Sequence, residues 1–315
     1  MAENVQYLTI SDDESGQRLD NFLIARLKGV PKSMIYRVIR KGEVRVNKGR
    51  AKPERKLDSG DIVRVPPVRT SEKPAASPGA GLVRLLEEAI LLDTRELLVI
   101  NKPPGLAVHG GSGVSLGLIE ALRHIYGDKQ YLELVHRLDR DTSGCILVAK
   151  KRSALKFLQD QFREKKKIEK NYLALVKGHW PNRRRVVEAP LRKHELQSGE
   201  RIVRVALDGK AARTEFDVVE RFSDRATLIA ARPITGRTHQ IRVHARHAGF
   251  PLVGDEKYGD DDFNQAMKQV GFRRLFLHAA SLAFELPDES RQKCEAPLPE
   301  DLENPLAVLR ASVTQ

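Results

Sequence analysis

Apolar residues recur at helical spacing early in the chain. Leu19, Phe22, Leu23 and Leu27 share one face, and after Pro31 the set Ile35, Val38 and Ile39 repeats the pattern. Pro31 fits a first-turn position of the second helix, and Gly42 supplies a left-handed stop. The period then changes. Glu43-Val44-Arg45-Val46-Asn47 alternates as a strand does, Asn47-Lys48-Gly49 reads as a turn, and Asp61-Ile62-Val63-Arg64-Val65 reads as a closing strand. Residues 16–69 are therefore expected to form a small module of helices and strands. Periodicity is lost over 70–85, among Pro74, Pro78, Gly79 and Gly81, which predicts a linker. Residues 86–315 read as a second domain rich in short apolar runs: Leu97 to Ile100, Cys145 to Ala149, and Asn171 to Val176. Helical spacing returns over Ser153 to Phe162, through Leu155, Leu158 and Phe162. It returns again after Thr238, expected to cap a helix that runs to Ala248 with Ile241, Ala245 and Ala248 as its apolar stripe. Many strands and few helices make the expected class α+β.

Charge sharpens the picture of the first module. The chain has 315 residues with 55 Lys+Arg against 42 Asp+Glu, a net +13, and its pI is near 9.8. Such a balance favours a polyanionic partner, nucleic acid ahead of a membrane surface. The excess is concentrated. Between Lys32 and Lys56 ten basic residues, among them Lys32, Arg37, Arg40, Lys41 and Arg45, face only Glu43 and Glu54, a local charge of +8. Self-repulsion at that density is relieved by phosphates, so a surface that tracks an RNA backbone is expected. Aromatics are sparse there, Phe22 and Tyr36, which points to shape and backbone recognition over base stacking. The two cysteines, Cys145 and Cys294, have no metal-type or redox-type neighbours. They imply a reducing cytoplasmic setting without a disulfide. Met1 to Asp13 lacks an apolar signal core, and no apolar run approaches the roughly 20 residues that span a bilayer.

The candidate chemistry gathers in His136-Arg137-Leu138-Asp139-Arg140-Asp141-Thr142-Ser143-Gly144, a charged loop that feeds the buried run after it. Asp139 and Asp141 each lie beside an arginine, whose charge favours an anionic carboxylate. That suits a nucleophile or base better than a general acid. Asp141, in Asp-Thr-Ser-Gly, is also ordinary turn chemistry. Downstream, Thr235-Gly236-Arg237-Thr238-His239-Gln240-Ile241-Arg242-Val243-His244 places His239, Arg242 and Arg246 on one helix face. His239, His244 and His247 invite a metal, but the interleaved arginines repel a cation and no metal motif fits. Asp139 is the only carboxylate this pattern places strongly, so it is the expected partner of the Arg242 fork.

The loop resembles the signature of RNA pseudouridine synthases of the RluA/RluC/RluD family, in which the aspartate of His-Arg-Leu-Asp is catalytic; here that is Asp139. Leu106-Ala107-Val108-His109-Gly110-Gly111-Ser112-Gly113 resembles the first motif of that family, and its glycines lean towards the RluC type. Gln197-Ser198-Gly199-Glu200 and Gly209-Lys210 lean the same way, and Asp255-Glu256-Lys257-Tyr258-Gly259 and Leu277-His278-Ala279 fit the family. The helix-helix-Gly-x-Val-x-Val-Asn order of the first module resembles an S4 RNA-binding domain. By resemblance the second domain is a mixed, largely antiparallel sheet with the active-site cleft across it. Arg242 would pair with Asp139, and Tyr172 would pack on the target base, although from the residues alone Tyr172 is equally a core tyrosine. Arg137 would fill the space left by a flipped nucleotide, and His136, Arg237 and His239 would contact RNA.

The activity implied is isomerisation of uridine to pseudouridine in 23S ribosomal RNA, by a monomer, with no cofactor or metal. One carboxylate can suffice, because uracil leaves as a delocalised anion; ordinary glycoside hydrolysis needs two. Whether Asp139 attacks C1′ or removes a sugar proton stays open. So do other readings: an RluD-type or dual tRNA/rRNA synthase, a non-catalytic S4-type assembly factor, or a metal-assisted RNA hydrolase. The roles of Lys165-Lys166-Lys167 and Arg183-Arg184-Arg185 stay open too.

Overall fold

A computed structural model describes residues 4–27, 29–68, 77–110, 116–127, 130–164, 167–183, 185–195 and 201–313. The chain divides into two compact units, Met1–Ala76 and Ser77–Gln315. Gly111 to Gly113, Lys165, Lys166, Arg184 and Gln197 to Glu200 lie outside the described residues.

The first unit runs β1 (Gln6–Thr9), α1 (Leu19–Arg26), α2 (Lys32–Arg40), β2 (Arg45–Val46), β3 (Gly49–Arg50) and β4 (Ile62–Val65). Its antiparallel sheet has the order β1-β4-β2-β3. Phe22, Leu23, Ile35, Val38, Ile39, Val44, Val46 and Val63 form its core, so the two periodicities read from sequence meet on one apolar face. Pro31 caps α2, one position ahead of the first turn, and Gly42 takes φ 72 after it. The basic cluster is exposed except for half-buried Arg55. Tyr36 does not offer a stacking surface alone: its hydroxyl donates to buried Asp20 at 3.1 Å.

The second unit begins with α3 (Ala80–Glu88), β5 (Ile90–Asp93), β6 (Leu97–Lys102), α4 (Leu118–Tyr126), β7 (Glu133–Leu134), β8 (Ser143–Ala149), α5 (Arg152–Glu164) and β9 (Glu169–Lys177). It continues with β10 (Val186–Glu188), β11 (Leu191–Glu195), β12 (Arg201–Val205), β13 (Arg213–Phe222) and β14 (Ala226–Pro233). It closes with α6 (Gln240–His247), α7 (Asp261–Val270), β15 (Leu277–Glu285), β16 (Arg291–Glu295) and α8 (Glu300–Val313). Of the linker expected over 70–85, residues 70–76 lie outside the described residues, and residues 80–85 are helical because Ala80 already starts α3. Leu86 of that helix is buried against Leu98, Ile100 and Leu118, and this tertiary packing is invisible to local composition.

The main sheet has the order β10-β13-β14-β9-β15-β8-β6-β5, with β16 added to β15 and β7 to β8. Its ladders are antiparallel apart from the β8–β15 pair, which is parallel through His278↔Ser143 and Ala279↔Gly144. β8 is buried at all seven positions, as its unbroken apolar run requires. Gly144 takes φ 109, and a Cβ there would lie 2.3 Å from the Ala279 carbonyl oxygen. Only glycine lets the signature loop enter the sheet this close to β15. No helix among the described residues is long and apolar enough to cross a membrane.

Candidate active site

A cleft of about 1340 Å³ lies over the central strands of the second unit. The signature loop before β8, Tyr172 of β9, the 233–242 segment after β14, Gly254 to Lys257 and the start of β15 all line it. Segments far apart in sequence meet there because the sheet order interleaves them.

Asp139 sits in this cleft with a quarter of its side chain exposed, 26%. Arg242 Nη1 donates to its Oδ2 at 3.4 Å, and His239 Nε2 lies 3.9 Å from the same oxygen. The two motifs are thus brought together, but not through the guanidinium fork. That fork is spent on Asp255, with Nε to Oδ2 and Nη2 to Oδ1 both 2.7 Å. Asp255 is fully buried at its side chain and also accepts from the backbone N–H groups of Lys257 and Tyr258 at 3.0 Å. The expectation that Asp139 is the fork partner is therefore corrected. Asp255 lies in a loop beyond α6, and nothing in its local pattern marks it as buried. Gly254 makes that burial possible: it takes φ 70, and a Cβ would lie 2.0 Å from the Arg274 carbonyl oxygen. Burial is the largest single influence and lowers the Arg242 guanidinium, but its hydrogen bonds to Asp255 and the charges of Asp255 and Asp139 together outweigh that and hold it above the usual arginine value.

The helix that carries Arg242 starts later than predicted. Thr238 is not its cap; the capping position is His239, in the left-handed region at φ 52. The Gln240 side chain orders the turn instead, accepting from Thr235 Oγ1 at 2.6 Å and from the Arg237 N–H at 3.0 Å. Ile241 and Ala245 are buried as the stripe predicted, with Ala248 packed beside them. His244 is a core residue, its ring bonded to Thr214 Oγ1 at 2.9 Å and to the Ala189 carbonyl at 3.0 Å.

Tyr172 is half-buried at the cleft floor, between Ala231 of β14 and Ala279 of β15. Burial first, then the nearby Asp139 charge, pushes its phenol above the usual value, so the ring is a neutral platform. Arg137 is exposed at the cleft, as is Arg237, whose Nε reaches the Ala211 carbonyl at 3.1 Å. Asp141 is exposed and closes a turn in which the Thr142 N–H reaches the Asp139 carbonyl at 3.2 Å.

His136, expected to contact RNA, lines the cleft and also has a structural part. Its Nε2 accepts the Leu147 N–H at 3.1 Å, and its ring stacks on Phe162 with centroids 4.7 Å apart. Both contacts clamp the signature loop to β8 and α5. Burial, helped by the Lys170 charge, pushes its pKa down to about 3. Burial also lowers His244 and His278. A histidine whose folded pKa lies below its unfolded value stabilises fully above the unfolded pKa, and that stability is lost as pH falls towards the folded one. The urea midpoint is thus expected to fall between about pH 6.5, the unfolded histidine value, and about 3. His136→Gln, which can still accept the Leu147 N–H, should flatten part of that fall. An unchanged profile would show that His136 is not held neutral.

Sequence reasoning missed Lys102. It ends β6 fully buried, and its Nζ donates to the carbonyls of Pro103, Leu106 and Arg140 at 2.8, 2.9 and 2.9 Å. Burial pulls its pKa down to about 7, against Asp141 and Asp139, which favour the charged form. Three carbonyls match the three N–H donors of an ammonium, so we assign the charged state. Its ammonium ties the Pro-Pro-Gly loop to the signature loop, as does the Arg140 Nε bond to the Gly105 carbonyl at 3.1 Å. A lysine at the end of an apolar run and directly before Pro-Pro-Gly was the available signal. Lys102→Met should cost about 3 kcal/mol in urea unfolding, because buried carbonyls lose their donors. A loss below about 1 kcal/mol would mean that other donors replace the ammonium.

Residues 96–247 match the RNA pseudouridylate synthase family model, and residues 17–63 match the S4 domain model. Similar full-length proteins include "Ribosomal large subunit pseudouridine synthase C" of Pasteurella multocida, 59% identical over 97% of this chain and 94% of the relative. The protein of the same name from Escherichia coli is 54% identical, covering 98% of this chain and 97% of the relative. The chain belongs to the RNA pseudouridylate synthase family. Among solved structures of family members, human RNA Pseudouridylate Synthase Domain Containing 4 superposes with a TM-score of 0.60 at 28% identity, covering 73% of this chain and 96% of its own. Human RNA Pseudouridylate Synthase Domain Containing 1 gives 0.56 at 26%, covering 75% and 98%. The mixed, largely antiparallel sheet of the second unit and the N-terminal S4 domain are the α+β architecture expected from sequence.

Proposed function

We propose that this chain isomerises specific uridines of 23S ribosomal RNA to pseudouridine, as an RluC-type enzyme working as a monomer in the cytoplasm. Full-length identity to relatives named for the large ribosomal subunit supports the substrate. The single observation that carries the chemistry is the Asp139 carboxylate, a quarter exposed in the cleft and approached from one side by Arg242. In the reaction the C1′–N1 bond breaks, uracil turns, C5 bonds to C1′, the C5 proton leaves and N1 gains one. Asp139 is the catalytic residue that acts on the ribose. Tyr172 supports the detached base so that it is recaptured before water intervenes. Arg137, exposed at the cleft, fills the gap left by the flipped nucleotide. Arg237 and His239 line the same cleft as RNA contacts. The test is pseudouridine mapping of ribosomal RNA from cells with and without the protein. Loss of none of the large-subunit modifications would refute the substrate assignment.

The 16–69 module is read as the docking domain. Its exposed Lys32, Arg37, Arg40, Lys41 and Arg45 supply phosphate contacts. Deletion of residues 1–76 should therefore weaken binding to large-subunit RNA. It should also make the slope of log Kd against log salt shallower by roughly 0.7 to 0.9 per contact removed. A slope identical to the parent's would reduce the +8 cluster to a solvated surface.

A further inference from the structure

Tyr258 closes a chain of contacts that ends at the catalytic carboxylate. It is 5% exposed. Its Oη accepts the Val203 backbone N–H at 2.8 Å and lies 2.7 Å from His239 Nδ1. The Tyr258 backbone N–H is fixed on Asp255 at 3.0 Å, and the Arg242 guanidinium stands 5.0 Å above its ring centroid. The Val203 N–H can only donate. The one acceptor left for the Tyr258 hydroxyl proton among the described residues is therefore Nδ1 of His239. A neutral imidazole that accepts at Nδ1 carries its proton on Nε2, and Nε2 is the atom that faces Asp139, 3.9 Å away.

We propose that Tyr258 is a positioning residue for the reaction: it fixes the Nε2–H tautomer of His239, so that this N–H and Arg242 both address Oδ2 of Asp139 and leave Oδ1 to the ribose. The inference rests on Asp139 being the catalytic carboxylate. It gives the β12 strand a part in the site, because the Val203 N–H is what sets the direction of the Tyr258 hydroxyl. The groups that face His239 are Asp139 from the signature loop, Arg242 from its own helix, and Asp255, Lys257 and Tyr258 from the loop beyond it. Burial is the first cause that keeps the ring below the usual histidine pKa, reinforced by Arg242 and Lys257 and opposed by Asp139 and Asp255. Loss of the Tyr258 hydroxyl frees Nδ1 and lets the ring change tautomer or take a second proton.

The experiment uses the full chain labelled with ¹⁵N-histidine, with His239 assigned by its disappearance in His239→Gln. In the parent at pH 7.5 the expected signature is a bare Nδ1 and a protonated Nε2. Tyr258→Phe should show mixed tautomers and lower kcat by roughly 10- to 100-fold, as expected for a misplaced reacting group. KM for the RNA should stay within about twofold, since Tyr258 itself does not line the cleft. The kcat–pH profile should gain an inflection between about pH 5 and 8, the histidine range. A merely structural tyrosine would shift the melting temperature and leave tautomer and profile alone. The double variant His239→Gln/Tyr258→Phe should be no slower than the slower of the two single variants. A parent spectrum with Nδ1 protonated overturns the proposal even if Tyr258→Phe fails to fold. Parental kcat and pH profile in Tyr258→Phe overturn it as well. If Asp139→Asn turns over normally, the reading beneath it fails; if Asp139→Asn is inactive and Tyr258→Phe fully active, only this inference fails.

Discussion

Asp139→Asn is expected to lower pseudouridine formation by about 10,000-fold or more, the scale lost when an acting catalytic group is removed. RNA affinity should stay within about twofold, because the phosphate contacts are made elsewhere. The substitution is close to isosteric, and an asparagine oxygen can still accept from Arg242 Nη1, which lies 3.4 Å from Oδ2 in the parent. The fold should therefore hold while the carboxylate chemistry is lost. Single-turnover assays on defined RNA, with enzyme prepared from a host lacking its own synthase, measure the effect. Asp141→Asn is the control. Asp141 is exposed and belongs to the turn that shapes the loop, so its loss should cost less than about tenfold. If the two effects came out reversed, Asp141 would be the acting residue.

Arg242 should show the second large effect, and in two separable quantities. Arg242→Ala removes the donor that orients Asp139 and the fork that holds Asp255, whose side chain is fully buried. Breaking such a buried pair costs about 3–5 kcal/mol, because the remaining charge is left unpaired. Activity should fall nearly to the level of Asp139→Asn. Arg242→Lys keeps a charge but cannot make two bonds to Asp255 and still reach Asp139, so it too should lose most activity. Were Asp139 the partner of the fork, Asp139→Ala would relieve Arg242→Ala of a lone charge. With Asp255 still in place, that double variant should be as unstable as Arg242→Ala. Arg242→Met/Asp255→Leu, which removes both buried charges, should recover much of the lost stability and none of the activity. Urea melts of these variants decide the matter: a coupling energy larger for Arg242 with Asp139 than with Asp255 would refute the arrangement.

The sequence by itself determined a good deal of this protein. Leu19 to Ile39 reads as two packed helices because side chains three and four apart share a face, whatever lies opposite. Cys145 to Ala149 reads as a buried strand because an unbroken apolar run has no solvent side to offer. Asp139 stood out because its loop is dense in charge at the mouth of such a strand. These are local signals, carried by neighbours along the chain. What the tertiary structure alone decided is how charges are compensated and what becomes buried. Asp255 looks like any loop aspartate until Gly254 packs on the Arg274 carbonyl and Asp255 takes the Arg242 fork. Lys102 looks like a surface lysine until two loops close three carbonyls round it. His136 reads from sequence only as an RNA contact, and the fold shows that its ring also bonds Leu147 and stacks on Phe162. His239 owes its orientation to Tyr258, and Tyr258 owes its own to Val203. The burial of an ionisable group depends on partners from distant strands, and a hydrogen bond has a direction only once both ends are in place. For that reason the pattern along the chain located this site, while only the folded sheet assigned its partners.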